Sequence, residues 1–318
     1  MATQGKKKKS RDVSQRGASQ WAVAWRRFKK HKAGMVGLGM IIALLVIAAF
    51  HESLAPYPQR PLPGSFEPLY AGEAGQPPTW KHPFGTTIMG TDVFSDVIHG
   101  TVYTVLVAGL TTVIVMFLTI TVGIAAGYLG LYVDDVLMRI TEVFLVFPST
   151  LLILVFARIF QLRVVEPTIN ILGINIPTGL TIIILVVALF GWAGNARIIR
   201  GEALRLKKME YIEASRSLGA SSTWIMFRHI LPNVLPQIIV LATLTMASAV
   251  LIEAGVSFLG FGDPNTVTWG RLLQESFNDI STTWWAEIFP GLAVFVTVLA
   301  FNLVGDGLSD AMNPRLRE

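Results

Sequence analysis

The most constraining feature of this chain is a series of long stretches that contain no Asp, Glu, Lys or Arg. A helix needs about 20 apolar residues to cross a hydrocarbon layer of roughly 30 Å. The candidate stretches are residues 33–51, 101–133, 143–157, 167–196, 230–252 and 288–305. They predict an all-α polytopic membrane protein with six transmembrane helices. Charged residues make up only 15% of the chain, against about 25% in soluble domains, so an ordinary soluble enzyme is excluded.

Two of these stretches need interpretation. Residues 101–133 are too long for one crossing and too short for two, so we expect one span near 101–125 with interfacial ends. The third stretch is weaker, because Arg139 and Glu142 must lie in the first turns of its helix. Pro148 is expected to kink this helix, since proline removes a backbone donor and clashes with the preceding turn.

The spans divide the chain into segments. We expect a basic cytoplasmic arm over 1–32, a first transmembrane helix over 33–51 and an extracytoplasmic segment over 52–100. A five-helix core over 101–308 and a cytoplasmic tail over 309–318 complete the chain. The first helix is expected to remain uncleaved, because its basic flank is over 30 residues long and no good cleavage site follows.

The distribution of Lys and Arg predicts the orientation. Of 26 basic residues, the segments on the side of the N-terminus hold 20 and the opposite segments hold five. Because cytoplasmic loops are enriched in Lys and Arg, both termini are predicted to be cytoplasmic in a cell membrane. The Lys6–Lys9 run is expected to touch anionic lipid. The basic residues are not spread over a folded face, so no nucleic-acid partner is expected.

The segment 202–232 between the fourth and fifth spans is the most informative loop. Residues 202–218 lack Gly and Pro and predict one helix, which Gly219 ends. Ser221 or Ser222 could cap a second short helix, which Pro232 is expected to end. The residues alone leave two interpretations open: a surface that docks another protein, or an amphipathic helix on the bilayer.

A sequence motif in this loop points to a family. Glu213-Ala214-Ser215, followed by Gly219 and then Leu231-Pro232, resembles the EAA-loop signature of ABC importer permeases. The surrounding residues resemble the dipeptide, oligopeptide and nickel permease branch. Four further blocks agree in order: 82–95, 138–148, 258–270 and 301–315. The chain departs from the pattern by Ser215 in place of the second Ala and by Thr91 in place of an Arg.

The resemblance implies a type I ABC importer permease that forms the translocation path for di- or oligopeptides delivered by an external binding protein. It implies a heterodimer with a second homologous permease and two separate subunits that bind ATP and Mg. The loop would be the element that contacts these ATPases. Glu213 and Gly219 would form the core of the contact, and the flanking residues would be Glu210, Tyr211, Ala214 and Ser215.

Four other residues are candidates with two interpretations each. Arg139 and Glu142 could form a structural ion pair or take part in gating, and Pro148 could serve packing or motion. Glu253, at the outer end of the fifth span, could be an interfacial carboxylate or a contact along the substrate path. No catalytic residue, cofactor or metal ligand is predicted, because the chain has no phosphate-binding loop, no His-Glu-x-x-His motif and no cysteine.

Alternative functions remain open from the sequence. The same machinery could carry nickel or another small solute. An ion-coupled secondary transporter would need internal repeats and carboxylates near the membrane centre, and the sequence shows neither. A membrane scaffold without a transport role would not need the spacing of the EAA signature.

Overall fold

A computed structural model describes residues 20–59, 73–161, 169–171, 174–263 and 266–312. The Lys6–Lys9 run and the end of the predicted tail lie outside the described residues. The helices, in chain order, are α1 (Gln20–Phe28), α2 (Lys32–Ala49), α3 (His51–Leu54), α4 (Val93–Leu129), α5 (Leu131–Val146), α6 (Ser149–Gln161), α7 (Thr178–Lys207), α8 (Glu210–Ser217), α9 (Ser222–Ile225), α10 (Leu231–Val256), α11 (Trp269–Ser276) and α12 (Trp285–Met312). Two π-helical turns, Met226–Ile230 and Ser257–Phe261, flank α10.

The described residues contain five helical runs that are long and apolar enough to cross a membrane. They are Lys32–Ala49, Val93–Leu129, Thr178–Lys207, Ser222–Phe261 and Trp285–Met312. A sixth crossing exists only if α5 and α6 are taken together, although they are bent by 80° at the break between them. The chain is therefore an all-α polytopic membrane protein, and the third of the six predicted spans is a broken one.

The centre of the fold is the packing of α4 against α7, which run side by side in the same direction. A Cβ atom added at Gly123 would lie 2.8 Å from the carbonyl oxygen of Ala196, and one at Gly127 would lie 2.6 Å from Cβ of Ala203. The hydroxyl of Thr119 donates to the carbonyl oxygen of Trp192 at 3.4 Å. The small residues thus let the two backbones approach closely, as in other membrane helix pairs.

The first and last long helices, α2 and α12, also pack closely. A Cβ at Gly37 would lie 2.7 Å from the carbonyl oxygen of Ala300, and one at Gly34 would lie 3.2 Å from Cα of Gly307. Phe28, at the end of α1, is only 2% exposed and fills the space beside this crossing. The short helix α1 is therefore fixed to the end of α12.

Two helices extend beyond the stretches predicted for them. Helix α4 begins at Val93 rather than near Thr101, because the side chain of Asp92 caps it and accepts from the backbone N–H of Ser95 at 2.8 Å. Residues 93–100 are therefore helical. Helix α12 continues to Met312, past the predicted ends at 305 and 308, because Ala311 is buried in a cluster with Phe28.

The break between α5 and α6 falls at Phe147 and Pro148. Phe147 has an extended backbone conformation, with φ of −79° and ψ of 139°. The residue before a proline disfavours the helical conformation, which explains why the helix stops at Val146. The expected kink is therefore a full interruption of the helix.

A short β-hairpin precedes α7 and was not predicted. Strands β1 (Ile169–Ile171) and β2 (Ile174–Ile176) pair antiparallel, with Ile169 opposite Ile176. Both strands have the sequence Ile-Asn-Ile, and β-branched residues favour strands. With three residues in each strand, the hairpin leaves the fold all-α.

The inner loop differs from its prediction at two positions. The single helix expected over 202–218 is interrupted at Met209, which is extended with φ of −80° and ψ of 140°. The turn allows Ile212 to reach the core, where it is 2% exposed. Pro232 does not end the second helix, because the π-helical turn Met226–Ile230 carries the chain on into α10. In the same turn, Nδ2 of Asn233 donates to the carbonyl oxygen of His229 at 2.6 Å.

Candidate coupling site

The inner loop folds into a protrusion at the end of the bundle where α4 and α7 finish. We call residues 209–230 the inner knob, and we call this end of the bundle the inner end. Ile212, Ile225 and Ile230 anchor the knob, because each is at most 2% exposed and all three lie in one core cluster with α4 and α7. Burying a side chain of this size contributes roughly 1.5–3 kcal/mol, so the three anchors hold the knob firmly.

The turn at the tip of the knob depends on Gly219. Its φ of +84° lies in the left-handed region that favours glycine. Its N–H donates to the carbonyl oxygen of Arg216 at 3.0 Å, and the N–H of Ala220 donates to that of Ser215 at 3.1 Å. A Cβ at Gly219 would meet no atom within 4 Å. Backbone conformation, and not crowding, is therefore the reason for glycine at this position.

Helix α9 begins after a side-chain cap. The hydroxyl of Ser221 accepts from the backbone N–H of Trp224 at 3.3 Å. This assigns the cap to Ser221 rather than to Ser222, and it fixes the direction in which the chain leaves the turn.

Five of the six residues predicted for the ATPase contact lie on the surface of the knob. Glu210, Tyr211, Glu213, Ala214 and Gly219 are exposed. Ser215 is half-buried, and its hydroxyl donates to the carbonyl oxygen of Tyr211 at 2.8 Å and lies 3.3 Å from Nε2 of His229.

The two carboxylates of the knob are available to a partner. Glu210 and Glu213 both lie in the first turn of α8, where the helix dipole stabilises negative charge. Within the part of the chain that the structure describes, neither forms an ion pair. Their charge is therefore directed to solvent or to a partner.

Sequence reasoning missed an apolar surface around these carboxylates. Leu218 is 89% exposed, Phe227 is 67% exposed and Trp224 is 49% exposed. The ring of His229 lies edge-on to the rings of Trp224 and Tyr211, with centroids 4.9 and 5.8 Å away. The sequence does carry a signal for this surface, because the basic loop contains large apolar residues in addition to the three isoleucines that are buried.

Ion pairs join α5 to α7 beside the knob. Nη1 of Arg139 lies 3.1 Å from Glu142, and Glu142 lies 3.9 Å from Nη2 of Arg197. Sequence reasoning missed a tighter pair, in which Nε and Nη2 of Arg200 each donate to a carboxylate oxygen of Asp134 at 2.5 Å. The structure thus forms the predicted Arg139–Glu142 pair and extends it into a link between two helices.

Glu253 differs from the expected interfacial carboxylate. Its side chain is buried at 1% exposure, and it accepts from the hydroxyl of Ser257 at 2.7 Å. A Cβ at Gly270 would lie 2.3 Å from the carbonyl oxygen of Ala254, so α11 packs directly on this part of α10. Glu253 is therefore enclosed by this chain and is not an exposed interfacial residue.

The opposite, outer end carries a buried polar network that we call the outer frame, residues 73–92. Nδ1 of His82 lies 2.8 Å from Asp92 and its Nε2 lies 3.0 Å from Glu73, while the ring is 2% exposed. One imidazole therefore joins two carboxylates from different parts of the frame. Hydrogen bonds from Lys81 and then His82 hold the pKa of Glu73 below its usual range, so this carboxylate stays ionised to lower pH than an ordinary glutamate.

The bundle, the knob and the frame together define a class: a multi-pass membrane protein with a protrusion at one end and a buried polar network at the other. The family described as binding-protein-dependent transport system inner membrane components matches residues 119–318. The N-terminal transmembrane domain of oligopeptide transport permease C matches residues 19–78. The chain belongs to this family of transport permeases.

Its relatives are permeases of peptide transport systems. The chain is 34% identical over 316 residues to a dipeptide transport system permease of Bacillus subtilis, which covers 99% of this chain and 92% of that protein. It is 31% identical over 307 residues to the oligopeptide transport system permease of the same organism, which covers 96% and 93%. It is 36% identical over 310 residues to a glutathione transport system permease of Pectobacterium atrosepticum, which covers 96% and 94%. These relatives are transport proteins and not enzymes, and the family membership disfavours the secondary transporter and the scaffold.

Proposed function

We propose that this chain is one of two permease subunits in an ATP-driven importer of di- or oligopeptides. A second homologous permease completes the translocation path. Two separate subunits bind ATP and Mg and attach at the inner end, and an extracytoplasmic binding protein delivers the peptide. Both termini lie in the cytoplasm, as the distribution of basic residues indicates.

The observation that carries this proposal is the construction of the inner knob. Three buried isoleucines hold it rigidly to the core, while the two carboxylates and the apolar surface around them face outward. A surface that combines exposed aromatic anchors with charge is typical of a protein–protein contact. A membrane-lying helix would instead need basic residues on its polar face, whereas α8 begins with two acidic residues.

The proposed mechanism follows from the rigidity of the knob. Closure of the two ATPases around ATP would displace the knob, and the anchors would transmit this displacement to α4 and α7. The ion pairs of α5 with α7, through Glu142 and Asp134, would make these helices move together. Pro148 then marks the boundary at which α6 can change its angle to α5.

The proposal that the cargo is a peptide rests on the relatives, and nickel or another small solute is the alternative cargo.

The experiment compares charge reversals at two inner carboxylates. In the assembled transporter, Glu213→Lys is expected to lower peptide uptake at least tenfold, because it places a positive charge at the centre of the proposed contact. Asp310→Lys is the matched control, since the side chain of Asp310 is 59% exposed near the end of α12, outside the loop 202–232. Uptake of a radiolabelled dipeptide and ATP hydrolysis are measured in the same proteoliposomes. Equal uptake by the Glu213→Lys variant and the wild type would overturn the proposal.

A further inference from the structure

Two neighbouring apolar side chains of the outer frame are exposed. Ile88 is 48% exposed and Met89 is 63% exposed, at the end of the turn formed by residues 87–91, which we call the outer tip. Single exposed apolar residues are common on protein surfaces. Two consecutive ones at the end of a turn form a compact projection that could insert into a partner.

The outer tip is preorganised by hydrogen bonds. The N–H of Thr87 donates to the carbonyl oxygen of Thr91 at 2.9 Å, and the N–H of Gly90 donates to that of Thr87 at 2.9 Å. The hydroxyls of Thr87 and Thr91 lie 2.8 Å apart. Because the backbone is already ordered, binding at the tip would cost little conformational entropy.

The tip is connected to two of the membrane-crossing helices. Nε1 of Trp285, in the first turn of α12, donates to the carbonyl oxygen of Thr86 at 2.9 Å. Asp92, one residue beyond the tip, caps α4 and also contacts His82. A partner that displaces the tip therefore acts directly on the first turns of α4 and α12.

An acidic cleft lies beside the tip. It is a shallow depression whose lining includes Ile88 and Met89 together with Glu275 and Asp279. Glu275 pairs with Arg271 at 2.7 Å, whereas the described residues provide no ion pair for Asp279. The predicted outer segments hold 10 acidic and five basic residues in total. The charge complementary to this surface is positive.

We propose that the outer tip and the acidic cleft are the docking surface for the extracytoplasmic binding protein. An apolar pocket at the rim of that protein receives Met89 and Ile88, and a Lys or Arg beside the pocket pairs with Asp279. This inference rests on the proposed function and adds the place of contact. Anionic lipid headgroups fit the surface less well, because the carboxylate of Asp279 would repel them.

The test measures the response to the binding protein. The complete transporter is reconstituted in nanodiscs, and its purified binding protein, loaded with a dipeptide, is titrated while ATP hydrolysis is recorded relative to each variant's own basal rate. Ile88→Ser with Met89→Ser, and separately Asp279→Lys, are expected to raise the half-maximal concentration at least tenfold. Leu54→Ser is the control, because Leu54 is 45% exposed at the outer end of α3, outside the cleft.

The outcomes separate this inference from the proposed function. If the wild-type complex responds to the binding protein and the tip variants respond at the same concentration, the docking surface is wrong and the proposed function stands. If the wild-type complex hydrolyses ATP without any response to the binding protein, both are overturned.

A second measurement distinguishes a protein partner from lipid. The chain contains no cysteine, so Met89→Cys introduces a unique site for a fluorescent label in this subunit. The label is expected to be quenched by aqueous iodide and to be protected when the loaded binding protein is added. Quenching by brominated lipid, with no protection by the binding protein, would overturn the proposal.

Discussion

The inner knob and the outer frame bury different kinds of residue. The knob buries three isoleucines, whereas the frame buries His82 with Asp92. Burial of apolar surface therefore holds the knob, and hydrogen bonds join the buried polar groups of the frame. Both regions expose apolar side chains, such as Leu218 in the knob and Met89 in the frame, so the difference between them lies in what they bury.

The two regions are therefore vulnerable to different substitutions. Removing one member of a buried hydrogen-bonded network leaves a polar group without its partner, which costs roughly 1–3 kcal/mol for each such group. Removing a buried methyl group leaves a cavity whose cost depends on how well the surroundings collapse. The two regions should consequently respond to substitution with different magnitudes and at different places.

The largest effect is expected at the frame. Asp92→Ala removes one of the two carboxylate partners of His82 and also the cap of α4, and it should lower the free energy of unfolding by about 3–5 kcal/mol. Chemical denaturation in detergent micelles measures this change. Asp310→Ala is the control. The side chain of Asp310 is 59% exposed and lies 3.4 Å from His31, and a small change is expected because exposed ion pairs contribute little to stability. Equal destabilisation by the two variants would remove the proposed difference between buried and exposed polar contacts.

A smaller and local effect is expected at the knob. Ile212→Ala should lower the free energy of unfolding by about 2–4 kcal/mol, because it leaves a cavity under α8. Hydrogen exchange should accelerate in residues 209–230 and stay unchanged in residues 73–92. Ile212→Val, expected to cost about 0.5–1.5 kcal/mol, is the graded control. Faster exchange at both ends would show that the knob and the frame are not independent.

The smallest effect is expected at the turn of the knob. Gly219→Val should cost about 1–2 kcal/mol, because a β-branched residue is strained at a φ of +84°. Gly219→Asn should cost less, since asparagine tolerates the left-handed conformation and no atom lies within 4 Å of the new Cβ. Thermal unfolding compares the two variants. If both are equally destabilised, crowding by a partner subunit, and not backbone strain, is the reason for glycine.

Features that depend on neighbouring residues were predictable from the sequence. The long apolar stretches predicted the membrane-crossing runs, and Pro148 predicted a kink at the place where α5 and α6 are interrupted. The helix-capping preference of serine placed the start of α9 at Ser221 or Ser222, and the structure selects Ser221. The spacing of Glu213 and Gly219 indicated the family, which the comparisons confirm.

Features that depend on distant residues were not predictable. The helix expected through Met209 is interrupted, and Ile212 beyond the turn packs in the core with α4 and α7, which no local pattern indicates. Asp134 and Arg200 are 66 residues apart, so no local pattern joins them. Glu253 stands at the end of an apolar stretch, and only the packing of α11 on α10 shows that its carboxylate is enclosed.

The close crossing of α2 and α12 has a consequence for biosynthesis. The face of α2 that carries Gly34 and Gly37 packs on Gly307 and Ala300, which lie in α12 about 260 residues later. While the ribosome is still making the intervening residues, this face of the first inserted helix lacks its partner helix. The first helix to enter the membrane is thus among the last to reach its final packing, and a chain that stops before α12 leaves this glycine-rich surface open.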